Sequence, residues 1–348
     1  MNNLNMRRIN MIHFFDTLGA AACGAVLLLG AASCAKENTT TSNDTEKTYI
    51  ESWLKVRNLP VNPTERGIYI TEETPGSGTA YNGEAYAYVE YTAKDLEGTI
   101  TLTTDEKTAQ RIGSFSYSTY YGPRIVQISE DSATAGLEDL LTGMQTGGTR
   151  TAVIPSWLQV YKRYKKNDEY YKHTAKNTST VMYTLKMLDF TDDIDAWEGR
   201  QLDRFAKRNW GIDSTGFGLY YKQLVPPKGT ADFPSDTTVY INYIGRLMNG
   251  NVFDTTIADT AKFHNIYSSS HTYGPVQINW HQTQADITMG TDNNEPVEGF
   301  KWLLHRMGRY EKGIGAFISK YGYTYKGGGS AIPPYTPILF EVELVDEP

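Results

Sequence analysis

Few side chains in this sequence could do covalent or metal chemistry. The two cysteines, Cys23 and Cys34, both lie in the first tenth of the 348 residues. The rest of the chain therefore has neither a cysteine nucleophile nor a structural cysteine zinc site. Three of the six histidines lie close together, but the spacing of His264, His271 and His281 matches no standard metal-ligand pattern. We find no constellation typical of a hydrolase or a metalloenzyme.

The N-terminus has the pattern of an export signal. Basic residues precede an apolar run at 18–32, which at fifteen residues is shorter than the roughly 20 that a transmembrane helix needs. Small residues followed by Cys34 end the run and resemble a bacterial lipoprotein signal; the alternative is an ordinary signal peptide with an incidental cysteine. The resemblance implies that 1–33 are removed and that Cys34 carries a lipid anchor into the membrane. Residues 34–46 are rich in Thr, Ser and Asn, which predicts a flexible tether.

The implied localisation and the net charge restrict the classes of binding partner that we expect. The lipoprotein signal implies a secreted protein of the cell envelope, at the outer membrane on its periplasmic or its surface side. The chain carries 33 basic and 40 acidic residues, a net charge of −7. Because a polyphosphate attracts positive charge, we expect no nucleic-acid partner. The sequence leaves the oligomeric state open.

The chain after the tether contains an internal repeat of one unit, present in two copies. Residues 54–70 align with 205–221, and later the segments around Tyr91 and Tyr243 align, so that the period is about 150–163 residues. Alternating β-branched and aromatic residues in each unit predict antiparallel strands. A helical pattern at 297–305 adds one short helix. The predicted fold class is α+β.

Helical spacing before each unit sets the domain boundaries. The first unit opens with a pattern at 46–57, and apolar residues at helical spacing join the two units. We therefore predict a first domain at 47–190, a helical linker at 191–215 and a second domain at 216–348.

The second unit resembles the FKBP-type peptidyl-prolyl cis-trans isomerases in the order and spacing of several short motifs. A strand tyrosine is followed by a glycine and a Phe-Asp pair, then by an entry to the helix, and finally by Ile-Pro-Pro and a last apolar strand. The matching residues are Tyr243, Gly250, Phe253, Asp254, Glu295, Pro296, Val297, Gly299, Phe300, Met307, Tyr321, Tyr323, Ile332, Pro333, Pro334, Ile338, Phe340, Val342, Glu343 and Leu344. The resemblance implies two FKBP-like domains, each an antiparallel half-barrel sheet wrapped on a short helix, joined by the helical linker.

The family resemblance also implies a shallow aromatic pocket between sheet and helix. Its catalytic residues, carried over by position, are Tyr243, Phe253, Asp254, Phe263, Val297, Phe300, Tyr323, Ile332 and Phe340. Glu295 and Pro296 are the implied substrate-binding residues. The backbone N–H at Val297 would donate to a bound carbonyl, and Phe300 would form the floor where the family has a tryptophan.

Such a pocket can act without cofactor or metal. Rotation about an X–Pro bond faces a barrier of about 20 kcal/mol because the amide is resonance-stabilised. The twisted amide is less dipolar, so a desolvated aromatic pocket favours it over the planar form. A thousandfold acceleration requires only about 4 kcal/mol.

Two functions stay open at this point. The first is a membrane-anchored isomerase or folding helper that acts on proline-containing polypeptides through the second domain. The alternative is a catalytically weak scaffold that binds a partner protein or peptide. The first unit has Thr101 and Leu102 at the Phe-Asp positions and Leu137 at the floor, so we expect it to be inactive. The second unit carries a segment at 264–286 that is extra relative to the family.

Overall fold

The computed structural model describes residues 41–172, 178–228, 233 and 236–346. The predicted signal peptide, Cys34 and most of the predicted tether lie outside these residues. Within the described ranges, no helix is long and apolar enough to cross a membrane.

The first half is an antiparallel sheet with short helices packed against it. Its elements are α1 (Ser42–Val56), β1 (Tyr69–Thr74), β2 (Ser77–Ala80), β3 (Tyr86–Lys94), β4 (Ile100–Thr103), α2 (Glu106–Arg111), β5 (Arg124–Gln127), α3 (Ala135–Leu141), β6 (Gln145–Thr146), β7 (Thr149–Ile154), α4 (Asn167–Lys172) and β8 (Val181–Thr191). The strand order is β1-β7-β8-β3-β4, with β5 also paired to β3, and β2 pairs with β6 in a small separate sheet. Its core is built on residues such as Ile50, Ile68 and Leu140, which are fully buried.

The second half repeats this design after a connecting helix, α5 (Ile194–Trp210). Its elements are β9 (Leu219–Val225), β10 (Thr237–Leu247), β11 (Val252–Thr255), α6 (Ala258–Phe263), β12 (Val276–Trp280), β13 (Thr288–Met289), α7 (Glu298–Arg306), β14 (Lys312–Phe317) and β15 (Ile338–Val345). The strand order is β13-β12-β10-β15-β14-β9, and β11 pairs with β10. The predicted α+β class is confirmed, since each half is an antiparallel sheet on a short helix and a helix joins the two halves.

The repeat extends further than the sequence comparison indicated. Helix α6 begins 152 residues after α2, and the turn that follows has the same hydrogen bonds in both halves. The Ser116 N–H donates to the Tyr121 hydroxyl oxygen at 3.2 Å, and the Ser268 N–H donates to the Tyr273 hydroxyl oxygen at 3.0 Å. The segment interpreted as extra in the second unit therefore has a counterpart in the first, at least through β5 and β12.

Each lead-in helix is joined to its sheet by a glutamate, which is half-buried in α1 and fully buried in α5. Glu46 of α1 accepts from the Ser156 N–H at 2.8 Å and from the Ser156 hydroxyl. Glu198 of α5 accepts from the Ser319 N–H at 2.5 Å and from the Ser319 hydroxyl at 2.6 Å. Both serines open a 3-10 turn directly after the strand that faces the helix. The linker thus docks on the second half as α1 docks on the first.

Helix α1 begins earlier than the sequence pattern indicated. Thr41 caps the helix, and the Asp44 side chain accepts from the Thr41 N–H in return, which is a capping box. Residues 42–46, predicted as the end of the tether, are therefore helical. The box satisfies backbone donors that would otherwise be unpaired at the helix start.

The short helix of each half lies unusually close to its sheet. A Cβ on Gly299 of α7 would lie 2.4 Å from the ring of Phe317, and one on Gly136 of α3 would lie 2.2 Å from Ile154. Only glycine allows this approach, because real Cβ contacts are never so short. The contact brings α7 close to β14, the neighbour of β15 in the sheet.

Candidate active site

The centre of the candidate site is an aromatic cluster around Phe340 of β15. Its ring centroid lies 4.6 Å from Phe300 of α7, 5.6 Å from Phe253 of β11 and 5.9 Å from Tyr243 of β10. The rings meet edge to face, the arrangement that aromatic quadrupoles prefer. Sheet and helix together thus bring four of the sequence-predicted residues into one cluster.

A glycine in β10 makes room for these rings. A Cβ on Gly245 would lie 2.5 Å from Phe253 and 3.0 Å from Phe340. The equivalent position in the first half is occupied by Ala93, which is fully buried. Sequence reasoning missed this residue, although a glycine inside a strand is a known sign of close approach.

The cluster has a buried floor and a half-buried rim. Phe300, Phe340 and Ile332 are 3%, 5% and 3% exposed, and Tyr243 is 9% exposed. The half-buried rim residues are Phe253, Asp254, Val297 and Tyr323. An apolar group can therefore reach the rim while the floor stays out of water.

Asp254 and Tyr243 form the polar part of the site. The Tyr243 hydroxyl donates to the Asp254 carboxylate at 2.7 Å. Burial raises the pKa of Tyr243, and the negative charge of Asp254 raises it further. Burial also raises the pKa of Tyr323, again with a contribution from Asp254. Both hydroxyls therefore stay protonated and can donate hydrogen bonds.

The entry to α7 supplies a backbone donor beside the floor. Val297 precedes the helix, and its carbonyl accepts from the Phe300 N–H at 2.9 Å. Among the described residues, the Val297 N–H itself has no hydrogen-bond partner. The two preceding residues differ in exposure, since Pro296 is half-buried and Glu295 is exposed. This N–H is free to donate a hydrogen bond to a substrate carbonyl, as the resemblance implied.

Phe263 is not part of the site, and its predicted role as a pocket wall is wrong. Its side chain is 82% exposed on α6, where its ring contacts His264 at 5.1 Å between centroids. The helix turns Ala261 inward, and Ala261 is buried. The next strand, β12, starts with Val276, which packs against the second core. Because α6 buries Ala261, the side chain of Phe263 on the same helix lies on the solvent side.

Among the described residues of the first half, 41–172 and 178–191, there is no equivalent aromatic cluster. Tyr91 and Tyr183 keep their strand positions with ring centroids 6.0 Å apart. Leu102, at the position of Asp254, is 39% exposed and supplies no carboxylate for Tyr91. Leu137, at the floor position, is half-buried against the first core.

A cleft of about 220 Å³ lies beside the rim, with Phe253 and Asp254 among its lining residues. Both halves of the chain contribute to it. Its lining residues are Tyr117, Ser118, Thr119, Tyr120, Asn251, Val252, Phe253, Asp254, Thr255, Ala261, Ile266, Ser268, His271, Tyr273 and Ala331. No sequence pattern indicates that the first half contributes to this cleft.

The histidines of the second half have separate local partners. His281 bonds to Asp236 at 2.5 Å, and the His305 ring stacks on Trp280 at 5.6 Å. In the described ranges, no group of three or more His, Cys, Asp or Glu side chains could hold a metal ion.

Known proteins match the second half of the chain. Residues 229–345 match the family model of the FKBP-type peptidyl-prolyl cis-trans isomerases, which confirms the resemblance found in the sequence. The chain is 26% identical over 149 residues to an FKBP-type 22 kDa peptidyl-prolyl cis-trans isomerase of Escherichia coli, covering 42% of this chain and 58% of the relative. It is 29% identical over 125 residues to FK506-binding protein 1A of Aspergillus fumigatus, covering 36% of this chain and 90% of the relative.

The matched regions are limited in extent. The chain spans about half the length of three of the curated relatives, from 47% to 58%. Among solved structures, the three FKBP domains of wheat FKBP73 align with a TM-score of 0.28 and 14% identity, covering 80% of this chain and 93% of that one.

Proposed function

We propose that this chain, whose residues 229–345 form an FKBP-type domain, is a peptidyl-prolyl cis-trans isomerase that acts through its second half. The observation that carries the proposal is the aromatic cluster of Tyr243, Phe253, Phe300 and Phe340 beside the unpaired Val297 N–H. Proline-containing segments of polypeptides are the substrates.

The geometry supports catalysis by desolvation and positioning. A proline ring that enters at the rim meets Phe253 and the aromatic floor, where the less dipolar twisted amide is favoured. The Val297 N–H donates to a carbonyl of the peptide and fixes its register. The Tyr243 hydroxyl holds Asp254 at the rim, so that the carboxylate keeps one orientation through the reaction. Each of these interactions lowers the barrier without a covalent step.

The test is an isomerisation assay on the full chain with a peptide that contains a Phe-Pro bond. We expect acceleration over the uncatalysed rate, and Phe253→Ala should lower kcat/KM by about tenfold or more because an aromatic wall in contact with the twisted amide is lost. The matched control is Thr101→Ala, at the same position of the first half, which should leave kcat/KM unchanged. A wild-type chain that is folded but gives no acceleration at micromolar concentration would disprove the proposal.

A catalytically weak, peptide-binding scaffold is the second candidate. The observation that favours it is the first half, which keeps the fold but lacks the Phe-Asp pair and has Leu137 at the floor. In the same assay, this function predicts binding of the proline peptide with no acceleration.

The site of action that we propose is the cell envelope. The apolar run before Cys34 supports a lipid anchor at that cysteine, with envelope polypeptides as clients. Incorporation of a labelled fatty acid into the wild type, and its loss in Cys34→Ala, is the measurement for this part.

A further inference from the structure

A segment of the first half lies directly against the candidate site of the second. Residues 117–120 follow α2, and Tyr120 packs against the core cluster that contains Phe300 and Phe340. The Tyr120 N–H donates to the Ser330 carbonyl at 2.8 Å, and the Ser330 hydroxyl donates to the Ser118 carbonyl at 2.9 Å. Two hydrogen bonds in opposite directions, one between backbones and one from the Ser330 side chain, thus join the segment to the second half.

The point of attachment belongs to the site. Ser330 lies in the loop that leads to Ile332, and this loop closes on itself through hydrogen bonds between Gly328 and Ile332 at 2.8 and 3.3 Å. Ile332 is a buried member of the aromatic cluster. The first half therefore holds the loop that covers the proposed proline site.

The cleft at this junction is built from two copies of the same turn. The turn of the first half lines it with Tyr117 and Ser118, and the turn of the second half lines it with Ser268 and Tyr273. In the first turn the Ser116 and Ser118 hydroxyls are 2.9 Å apart, and the equivalent pair in the second turn is 2.8 Å apart. The first half has lost the Phe-Asp pair of its own site but has kept a turn that faces the site of its neighbour.

We propose that residues 117–120 form a second wall of the peptide-binding site, so that the working site is a composite of both halves. The inference rests on the proposed isomerase function. Tyr117 is the specificity-determining residue: its side chain is 62% exposed, and it lines the same cleft as Phe253 and Asp254. Tyr120 is a positioning residue, because its ring is packed against the cluster and its hydroxyl is bound to the Pro123 carbonyl at 2.9 Å.

The occupant is the part of an extended polypeptide that flanks the proline. An extended chain advances about 3.3 Å per residue, so a peptide whose proline lies at Phe253 reaches beyond the rim within two or three residues. The hydroxyl groups that line the cleft can form hydrogen bonds with the free N–H and C=O groups of a bound peptide backbone, and the aromatic rings can pack against the peptide. A peptide of four residues ends before it crosses the cleft, whereas one of ten residues fills it.

The test compares a four-residue and a ten-residue peptide around the same Phe-Pro bond, using the full chain. The measured quantity is kcat/KM for the long peptide divided by kcat/KM for the short peptide. We expect this ratio to fall about fivefold in Tyr117→Ala, because the long peptide loses one aromatic contact. The change should lie in KM. Tyr49→Ala is the control, since Tyr49 is a 51% exposed tyrosine on α1 that does not line the cleft, and it should leave the ratio unchanged.

Calorimetric titration with the long peptide provides a readout without turnover. We expect binding to weaken about fivefold in Tyr117→Ala and to be restored in Tyr117→Phe. If the wild type turns over both peptides and Tyr117→Ala changes neither the ratio nor the affinity, the composite wall is wrong while the isomerase function stands. An increase in kcat/KM for both peptides would identify the segment as a barrier and overturn the inference. A wild type that neither binds nor turns over the long peptide would refute both proposals.

Discussion

At the scale of single residues, the two halves differ mainly in the side chains that pack beside β10 in the second half and beside β3 in the first. Gly245 leaves room for the rings of Phe253 and Phe340, while the first half places Ala93 there and has Thr101 in place of the first ring. The half with glycine at this position has the aromatic site, and the half with alanine, which is larger by one methyl group, does not. A sheet can carry the same topology with or without the pocket.

Gly245→Ala tests this relation. The added Cβ would meet two rings at 2.5 and 3.0 Å, so the rings must shift. We expect a loss of about 1–3 kcal/mol in the free energy of unfolding from overpacking. Isomerase kcat/KM should also fall about tenfold, as for a displaced wall. The reverse change Ala93→Gly should destabilise the first half by about 1 kcal/mol and leave kcat/KM unchanged. Unaltered activity in Gly245→Ala would show that the rings can move without cost to function.

At the scale of elements, the helices that precede each sheet are held by a carboxylate rather than by apolar packing alone. Glu198 is fully buried and accepts two hydrogen bonds from Ser319. Burial raises its pKa from 4.5 to about 7, although the hydrogen bonds from Ser319 act in the opposite direction. The nearby charge of Asp195 adds to the increase.

This shift predicts how stability depends on pH. Because the folded pKa lies above the unfolded value of 4.5, the folded state retains the proton to higher pH than the unfolded state. The contribution to stability is complete below about pH 4.5 and is lost as the pH rises toward 7, by at most about 3 kcal/mol. Glu198→Gln removes the titration, so its free energy of unfolding should vary less between these pH values. Chemical denaturation at several pH values measures the difference. Parallel curves for the two proteins would contradict the assignment.

At the scale of the whole molecule, α5 connects the two halves by packing on both. The ring of Trp197 lies 4.9 Å from Tyr88 of the first half, and its N–H donates to Asp189 at 2.8 Å. Further along the same helix, Leu202 and Ala206 pack in a cluster with strands of the second half. Together with the contact at Ser330, this helix fixes the first half beside the site of the second.

Trp197→Ala should loosen that arrangement. The loss of a buried tryptophan costs about 3 kcal/mol, and the loss falls on the contact between helix and first half. We expect the unfolding transition, followed by circular dichroism, to move to lower denaturant and to separate into two steps. Small-angle scattering under native conditions should give a larger radius of gyration. Trp197→Phe keeps a ring and loses the hydrogen bond, so a decrease of only about 1 kcal/mol is expected. A single, unshifted transition in Trp197→Ala would refute the bridging role.

Much of the fold and most of the site could be predicted from the sequence because they depend on local patterns. Strand alternation, the helix at 297–305 and the ordered motifs around Phe253 and Phe340 are written in consecutive residues. The role of Gly245 was not predicted, because it depends on contacts with two rings from other strands. Phe263 was misplaced because the chain forms a helix there, and helical spacing turned the side chain outward.

The sequence by itself thus determined the duplicated unit, the α+β class and the identity of the aromatic floor. Only the tertiary structure decided which side chains of the predicted site face the aromatic cluster and which face solvent. It also decided that residues 117–120 of the first half contact Ser330 of the second. The physical reason is that periodicity reports burial along one element, whereas contacts between distant elements depend on the shape and hydrogen-bonding groups of both surfaces. No local pattern encodes that pairing.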